Sequence, residues 1–158
     1  MFGLFKKDLK LVAPVSGKSI DLSQVPDPVF AQKMAGDGAA IDATGDVAVA
    51  PCDGTLTLIF KTNHAFAMTL DNGVELLIHI GIDTVELNGE GFERLAEEGA
   101  KVKAGTPIIK FNPELIKGKG LSLTTPVLIT NPDSVKEIKS LTGKDVIAGQ
   151  DEVVTYRK

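Results

Sequence analysis

The only two histidines of the chain, His64 and His79, lie fifteen residues apart, each in a strand-like run, with the turn signal Asp71-Asn72-Gly73 midway between them. Imidazole acts as nucleophile, general base or metal ligand near neutral pH. Three uses therefore compete. A phosphoryl carrier needs one histidine with a free ring nitrogen and the other nitrogen held by an acceptor. Backbone carbonyls at Ile80-Gly81 stand close to His79, and Thr62, two residues before His64, could orient the second ring. No Gly-x-x-x-x-Gly-Lys loop cradles a nucleotide, so the phosphate would come from a partner protein. A zinc site usually takes three protein ligands. Asp83 shares the face of His79 four residues beyond it, and neither His-Glu-x-x-His nor paired cysteines support an intrinsic metalloenzyme. His64 and His79 then remain as two ligands to a zinc bridged with a partner's carboxylate. The third use is packing alone, and it weakens if both rings share one face.

Whether they share a face depends on the hairpin that joins them. Asn-Gly is a strong short hairpin signal, because both central residues of a type I′ turn need positive φ. A two-residue turn at Asn72-Gly73 opposes Phe66 to His79 and His64 to Gly81, which predicts the histidines as diagonal neighbours roughly 7–8 Å apart at the backbone. A turn at Asp71-Asn72 opposes them directly, whereas a three-residue turn would send them to opposite faces. Val74, Leu76, Ile78, Ile80 and Ile82 alternate as a core-facing stripe. Leu77, His79 and Asp83 point the other way, and Phe60, Thr62, His64, Phe66 and Met68 are expected to join them there. The histidines are thus expected on an accessible apolar patch, the kind of surface that marks contact with a partner. Asp27, Asp83, Glu86 and Glu90 could rim it and steer a basic partner.

These strands need a fold around them. At 158 residues with 43% hydrophobic content, one ordinary globular domain is expected, over residues 11–158 behind an N-terminal tail of residues 1–10. A net charge of −4 with scattered Lys and Arg excludes a nucleic-acid surface. No apolar run approaches the ~20 residues of a membrane span, and Met1–Lys7 lacks the apolar stretch of a secretory signal. Cys52 is alone, which fits the cytosol, and is expected as a small buried residue rather than a nucleophile.

The chain reads mostly as β. Short apolar runs at 9–15, 18–22, 47–50, 55–61, 65–70, 74–82, 107–111, 126–130 and 153–157 lie between glycines and prolines spread along the whole length. Many short strands with turn signals predict an all-β, antiparallel sandwich, a barrel-sandwich hybrid with a few short helices. The helical signals are at 28–35, 92–97, 113–116 and 134–141. Asp37 and Asp42 are expected to serve turns around Gly38, and Gly89-Glu90-Gly91 a turn. Ala13-Pro14-Val15-Ser16-Gly17 returns as Ala50-Pro51-Cys52-Asp53-Gly54, each followed by a β run.

Thr62-Asn63-His64-Ala65-Phe66, followed by Gly73-Val-Glu-Leu-Leu-Ile-His79-Ile-Gly81-Ile-Asp83-Thr-Val-Glu-Leu87, closely resembles the glucose-family enzyme IIA of the bacterial phosphoenolpyruvate:sugar phosphotransferase system. Gly89-Glu-Gly-Phe92, Pro26-Asp27-Pro-Val-Phe30-Ala, Gly36-Asp-Gly38 and Ala50-Pro51 to Gly54 extend the likeness over nearly the whole chain from about Leu11. The resemblance implies an antiparallel β-sandwich that takes phosphate from the small phosphocarrier HPr and passes it to a cysteine on the IIB domain of a sugar permease, without a required cofactor. His79 matches the histidine phosphorylated at Nε2, His64 the histidine that supports the phosphate, and Thr62 the threonine hydrogen-bonded to that second ring. Phe30, Phe60, Asp83, Val85 and Glu86 match residues around the partner face. A cytoplasmic monomer that visits the inner face of the membrane is expected, either free-standing or excised from a larger permease. Enteric relatives also regulate other enzymes, a further class of partner. The Ala-Pro-x-x-Gly echo is also similar to biotinyl and lipoyl carriers, but those modify a lysine at a hairpin tip, typically beside Met, and no lysine here has that setting.

Overall fold

The computed structural model describes residues 8–158. In chain order the strands are β1 (Leu9–Val12), β2 (Gly17–Ile20), β3 (Asp37–Ala43), β4 (Val47–Val49), β5 (Gly54–Ile59), β6 (Ala65–Thr69), β7 (Glu75–His79), β8 (Phe92–Arg94), β9 (Lys101–Val102), β10 (Pro107–Phe111), β11 (Thr124–Ile129), β12 (Lys136–Ser140), β13 (Asp145–Val146) and β14 (Glu152–Arg157). Two short helices, α1 (Pro28–Ala31) and α2 (Pro113–Gly118), each begin with Pro behind a side-chain cap, from Asp27 and Asn112 respectively.

The strands form three sheets: one of eight strands in the order β13-β2-β3-β11-β7-β6-β5-β9, and two of three, β1-β14-β12 and β4-β10-β8. All of their pairings are antiparallel. Residues from all three sheets, among them Leu11, Phe66, Ile78, Ile109 and Tyr156, fill one continuous core. The central strand β11 is buried along its whole length. A smaller cluster of Leu22, Val25, Phe30, Ala40, Ile82 and Leu128 holds α1 against the opposite face of β3 and β11. The expected all-β sandwich is therefore present.

The echoed segments run side by side. Val12 N–H donates to Pro51 O and Val49 N–H to Pro14 O, while Ala13 and Ala50 each make two backbone hydrogen bonds, to the chain at 149–151 and at 105–106.

Several local expectations are corrected. Residues 37–43 are not turns but β3, paired with both β2 and β11; a strand buried on both sides carries no polar alternation to reveal it. The runs 92–97 and 134–141 supply strands β8 and β12 rather than helices, since periodicity is a weak guide over such short stretches. Leu9 and Lys10, expected in the tail, open β1 and pair with β14; the rest of that tail lies outside the described residues except Asp8, whose carboxylate accepts a hydrogen bond from Arg157.

The hairpin register is also different. Leu70 N–H donates to Val74 O and Ala65 pairs with His79, so the turn holds three residues, Asp71 to Gly73. Asn131 fixes this turn from another loop, accepting from Glu75 N–H and donating to Gly73 O. Phe66 and Met68 consequently face Ile78 and Leu76 in the core, not the histidine face. This register aligns the two apolar stripes, which is what burial of one sheet face demands.

Candidate functional site

The observed register alone would separate the histidines, yet the rings meet. Their centroids are 4.9 Å apart and the planes nearly perpendicular. The reason lies at the open end of the hairpin. β7 ends at His79 and β6 begins only at Ala65, so His64 stands just outside the paired strands. One more hydrogen bond, from Ile80 N–H to His64 O, joins the two chains there. Beyond it the backbone turns at two left-handed positions, Asn63 (φ 58°) and Gly81 (φ 74°). Strand alternation governs side chains only while the strand lasts. On the other side of β7, the registered pairs with β11 run from Leu76 to Ile78 and stop short of His79. The adjoining β11 residue is Pro126, which has no N–H to donate.

His79 Nδ1 lies 2.7 Å from Gly81 O. A carbonyl only accepts, so Nδ1 carries the proton and Nε2 keeps its lone pair. The Gly81 carbonyl is itself held in place: the buried Thr84 hydroxyl donates to Ile80 O at 2.5 Å, and Ile82 N–H donates to Ser122 O. Sequence reasoning did not single out Thr84, whose buried hydroxyl is a local signal only once the turn is known.

His64 is 3% exposed, more enclosed than the open patch expected for it, while His79 is partly exposed. Thr62 Oγ1 sits 2.5 Å from His64 Nδ1. When the hydroxyl donates there, the neutral ring carries its proton on Nε2. Burial, and then the neighbouring His79, push the His64 pKa down to about 4. Burial also lowers His79, against the opposing effects of the Gly81 carbonyl and the Asp27 and Asp83 charges. Both rings are therefore neutral at neutral pH, the state a nucleophilic imidazole requires.

Aromatic rings flank the pair. Phe30 packs against His79 at 5.0 Å and Phe60 meets His64 edge-on at 5.4 Å. Beyond Phe60 a groove of about 250 Å³ runs over Leu58, Ala67 and Leu77. Val29 and Met34 (70% exposed), beside Phe30, add apolar surface that the sequence reading passed over. Asp83, in the left-handed conformation at φ 61°, precedes the 3-10 turn Thr84–Leu87, on which Val85 is 49% exposed and Glu86 is exposed. Asp83 is felt by His79 through its charge, and Val85 and Glu86 stand on the exposed turn that follows it. Cys52 is only half-buried, and burial raises its pKa, the wrong direction for a reactive thiol.

Among the described residues no third His, Cys, Asp or Glu gathers with the histidines into a metal-binding group. His79 Nε2 is a donor suited to zinc, His64 would have to give up its Nε2 proton to become one, and the two rings make half of a tetrahedral site at most.

The family model for the phosphoenolpyruvate-dependent sugar phosphotransferase system, EIIA 1, matches residues 9–135. The chain belongs to this family. It is 46% identical over 156 residues to the PTS system glucose-specific EIIA component of Bacillus anthracis, covering 98% of this chain and 94% of that one. It is 44% identical over 151 residues to the component of the same name from Haemophilus influenzae, with 96% and 90% covered. Among solved structures, the glucose permease IIA from Mycoplasma capricolum superposes with a TM-score of 0.88 at 37% identity, over 96% of this chain and 97% of that one. Membership in the EIIA family carries a phosphotransfer role in sugar transport.

Proposed function

We propose that this EIIA-family chain is a phosphocarrier in sugar uptake, accepting a phosphoryl group from phospho-HPr on His79 and passing it to a cysteine of the IIB domain of a sugar permease. The observation that carries this reading is the His79 Nδ1–Gly81 O hydrogen bond of 2.7 Å, which leaves Nε2 with its lone pair beside a second neutral imidazole. In the first step Nε2 attacks phosphorus; the N–P bond to the donor histidine breaks and its electron pair stays on the donor nitrogen. In the second, the thiolate of the IIB cysteine attacks the same phosphorus, an S–P bond forms, and the pair of the Nε2–P bond returns to His79. His64, oriented by Thr62, donates from Nε2–H to a phosphoryl oxygen. Its worth lies in stabilising charge that builds during transfer.

Phe30, Phe60, Val85, Asp83 and Glu86 form the docking face, with the acidic residues steering basic partners onto an interface at the small, transient end of the range. The chain is read as a cytoplasmic monomer, transiently at the inner face of the membrane when it docks to a permease. Among the described residues no helix is long and apolar enough to cross a membrane. The unit that acts is a single domain over residues 11–158, extended to Leu9 by β1. The transfer needs no cofactor, and a zinc ion held by His64 and His79 would require a partner's carboxylate, as with a regulatory target docked on the same face.

A phosphoenolpyruvate-driven relay of purified components tests the reading. Label should appear on His79, labile in acid and stable in alkali. His79→Gln should abolish labelling. His64→Gln should accept phosphate but pass it on roughly 10²–10³-fold more slowly, as loss of a transition-state donor does. Normal labelling of His79→Gln would falsify the assignment.

A further inference from the structure

We propose that Arg94 is a positioning residue for His64, acting through the backbone turn that carries Thr62. The inference rests on the phosphocarrier reading for its kinetic consequence but not for its geometry. The turn from Phe60 to Asn63 is closed by Asn63 N–H donating to Phe60 O at 2.7 Å and, at its mouth, by Phe60 N–H donating to Ala65 O. Asn63 adopts a left-handed conformation, which non-glycine residues hold at a cost that Asn tolerates best. The turn needs outside support, and β8 provides it. Arg94 Nε donates to Asn63 Oδ1 at 2.6 Å, and Nη2 points to Phe60 O at 3.3 Å and Ile59 O at 3.5 Å.

These partners are neutral acceptors, two in the turn and one on Ile59 at the end of β5, so Arg94 serves as a planar fork rather than as half of an ion pair. A second side chain from the same stretch joins it: Glu98 Oε1 accepts from Ile59 N–H at 2.7 Å. Thr62 lies between these anchors, and its hydroxyl is the partner of His64 Nδ1. Release of the turn would let that hydroxyl drift and the His64 proton distribute over both ring nitrogens. Lysine cannot replace the fork, because its ammonium is a point charge without fixed donor geometry.

The experiment is Arg94→Lys, which keeps the charge and the stem. The first readout is the pair of His64 ring-nitrogen chemical shifts, which report the tautomer. They should move from a single Nε2–H form toward a mixture, while the His79 shifts stay in place. Asn63→Gly keeps the left-handed turn, removes the acceptor, and should move the same signals. The second readout is single-turnover transfer from phospho-His79 to the IIB cysteine, expected about tenfold slower, on the scale of a small misplacement of a reacting group. That loss should vanish when Arg94→Lys is made in a His64→Gln background, since a residue acting through His64 has nothing left to position. Unchanged His64 shifts in Arg94→Lys, or transfer losses that multiply in the double variant, would overturn the proposal. If the wild-type chain takes no label on His79, the carrier reading fails while the shifts still decide the role of Arg94.

Discussion

The two ends of the β6–β7 hairpin are built from the same pair of strands and do opposite things. From Thr69–Glu75 to Ala65–His79 the pairing runs without a break, and Phe66, Met68, Leu76 and Ile78 vanish into the core. Immediately beyond, left-handed residues gather at Asn63, Gly81 and Asp83, and the two imidazoles meet there. The regular end fixes where the site is. The irregular end decides where its side chains point. Two histidines placed within the ladder in this register would have been held on opposite faces, so the meeting of the rings depends on the ladder stopping.

Three tests separate these contributions. Phe66 is fully buried opposite Ile78. Phe66→Ala should cost about 3–5 kcal/mol of unfolding free energy in urea, while the His64 and His79 ring-nitrogen shifts of the folded protein stay close to wild type. A loss under about 1 kcal/mol would mean that Phe66 lies on the open face after all, as a two-residue turn would place it.

Two glycines give the next contrast. Gly81 and Gly73 both have positive φ, at 74° and 89°. A Cβ on Gly81 would lie 2.7 Å from both Ser122 O and Thr84 Cγ2, whereas one on Gly73 would meet nothing within 4 Å. Gly73→Ala should therefore cost about 1–2 kcal/mol for the left-handed conformation alone and leave His79 labelling intact. Gly81→Ala adds a clash with a backbone oxygen, and relief of that clash shifts the carbonyl that holds His79 Nδ1. It should cost more stability and slow phosphoryl uptake as well. Equal labelling by the two variants would show that the Gly81 carbonyl does not set the tautomer.

The same contrast explains what could be read in the sequence. The alternation of Val74 to Ile82 announced β7, and Pro107–Phe111 is a strand with the expected bounds, because both are regular and their periods are local. The meeting of the histidines was expected from a register that the molecule does not use. Asp71-Asn72-Gly73 suits a turn of two residues or three, and the choice is made by Asn131, 58 residues from Gly73, and by Tyr156, whose hydroxyl accepts from Asn72 across 84 residues. The left-handed Asn63 and the grip of Arg94, 31 residues away, were equally invisible. Thr62, His64 and His79 were legible as a constellation because their residue types suit the proposed chemistry; the backbone that assembles them is a tertiary result.

The last test is a pH dependence confined to the irregular end. His64 has a pKa near 4 in the folded protein, against about 6.5 in an unfolded chain, and His79 is lowered as well. Between these values the unfolded chain binds protons that the native site refuses, so stability rises with pH through this window. The contribution is complete above about pH 6.5 and is lost as pH falls toward 4. The Asp27 and Asp83 charges favour protonated His79 and limit its share, which leaves the more enclosed His64 to dominate. Asp8 and Asp21, whose carboxylates are held below their ordinary pKa by Arg157 and by Ser23 respectively, destabilise only at lower pH. Urea unfolding should thus show stability falling from about pH 7 to about pH 5, with a shallower fall in His64→Gln. Phe66→Ala should lower the whole profile without changing its slope. A slope untouched by His64→Gln would mean that protons enter the native site as easily as the unfolded chain, and the two neutral rings on which the proposed nucleophile depends would not be there.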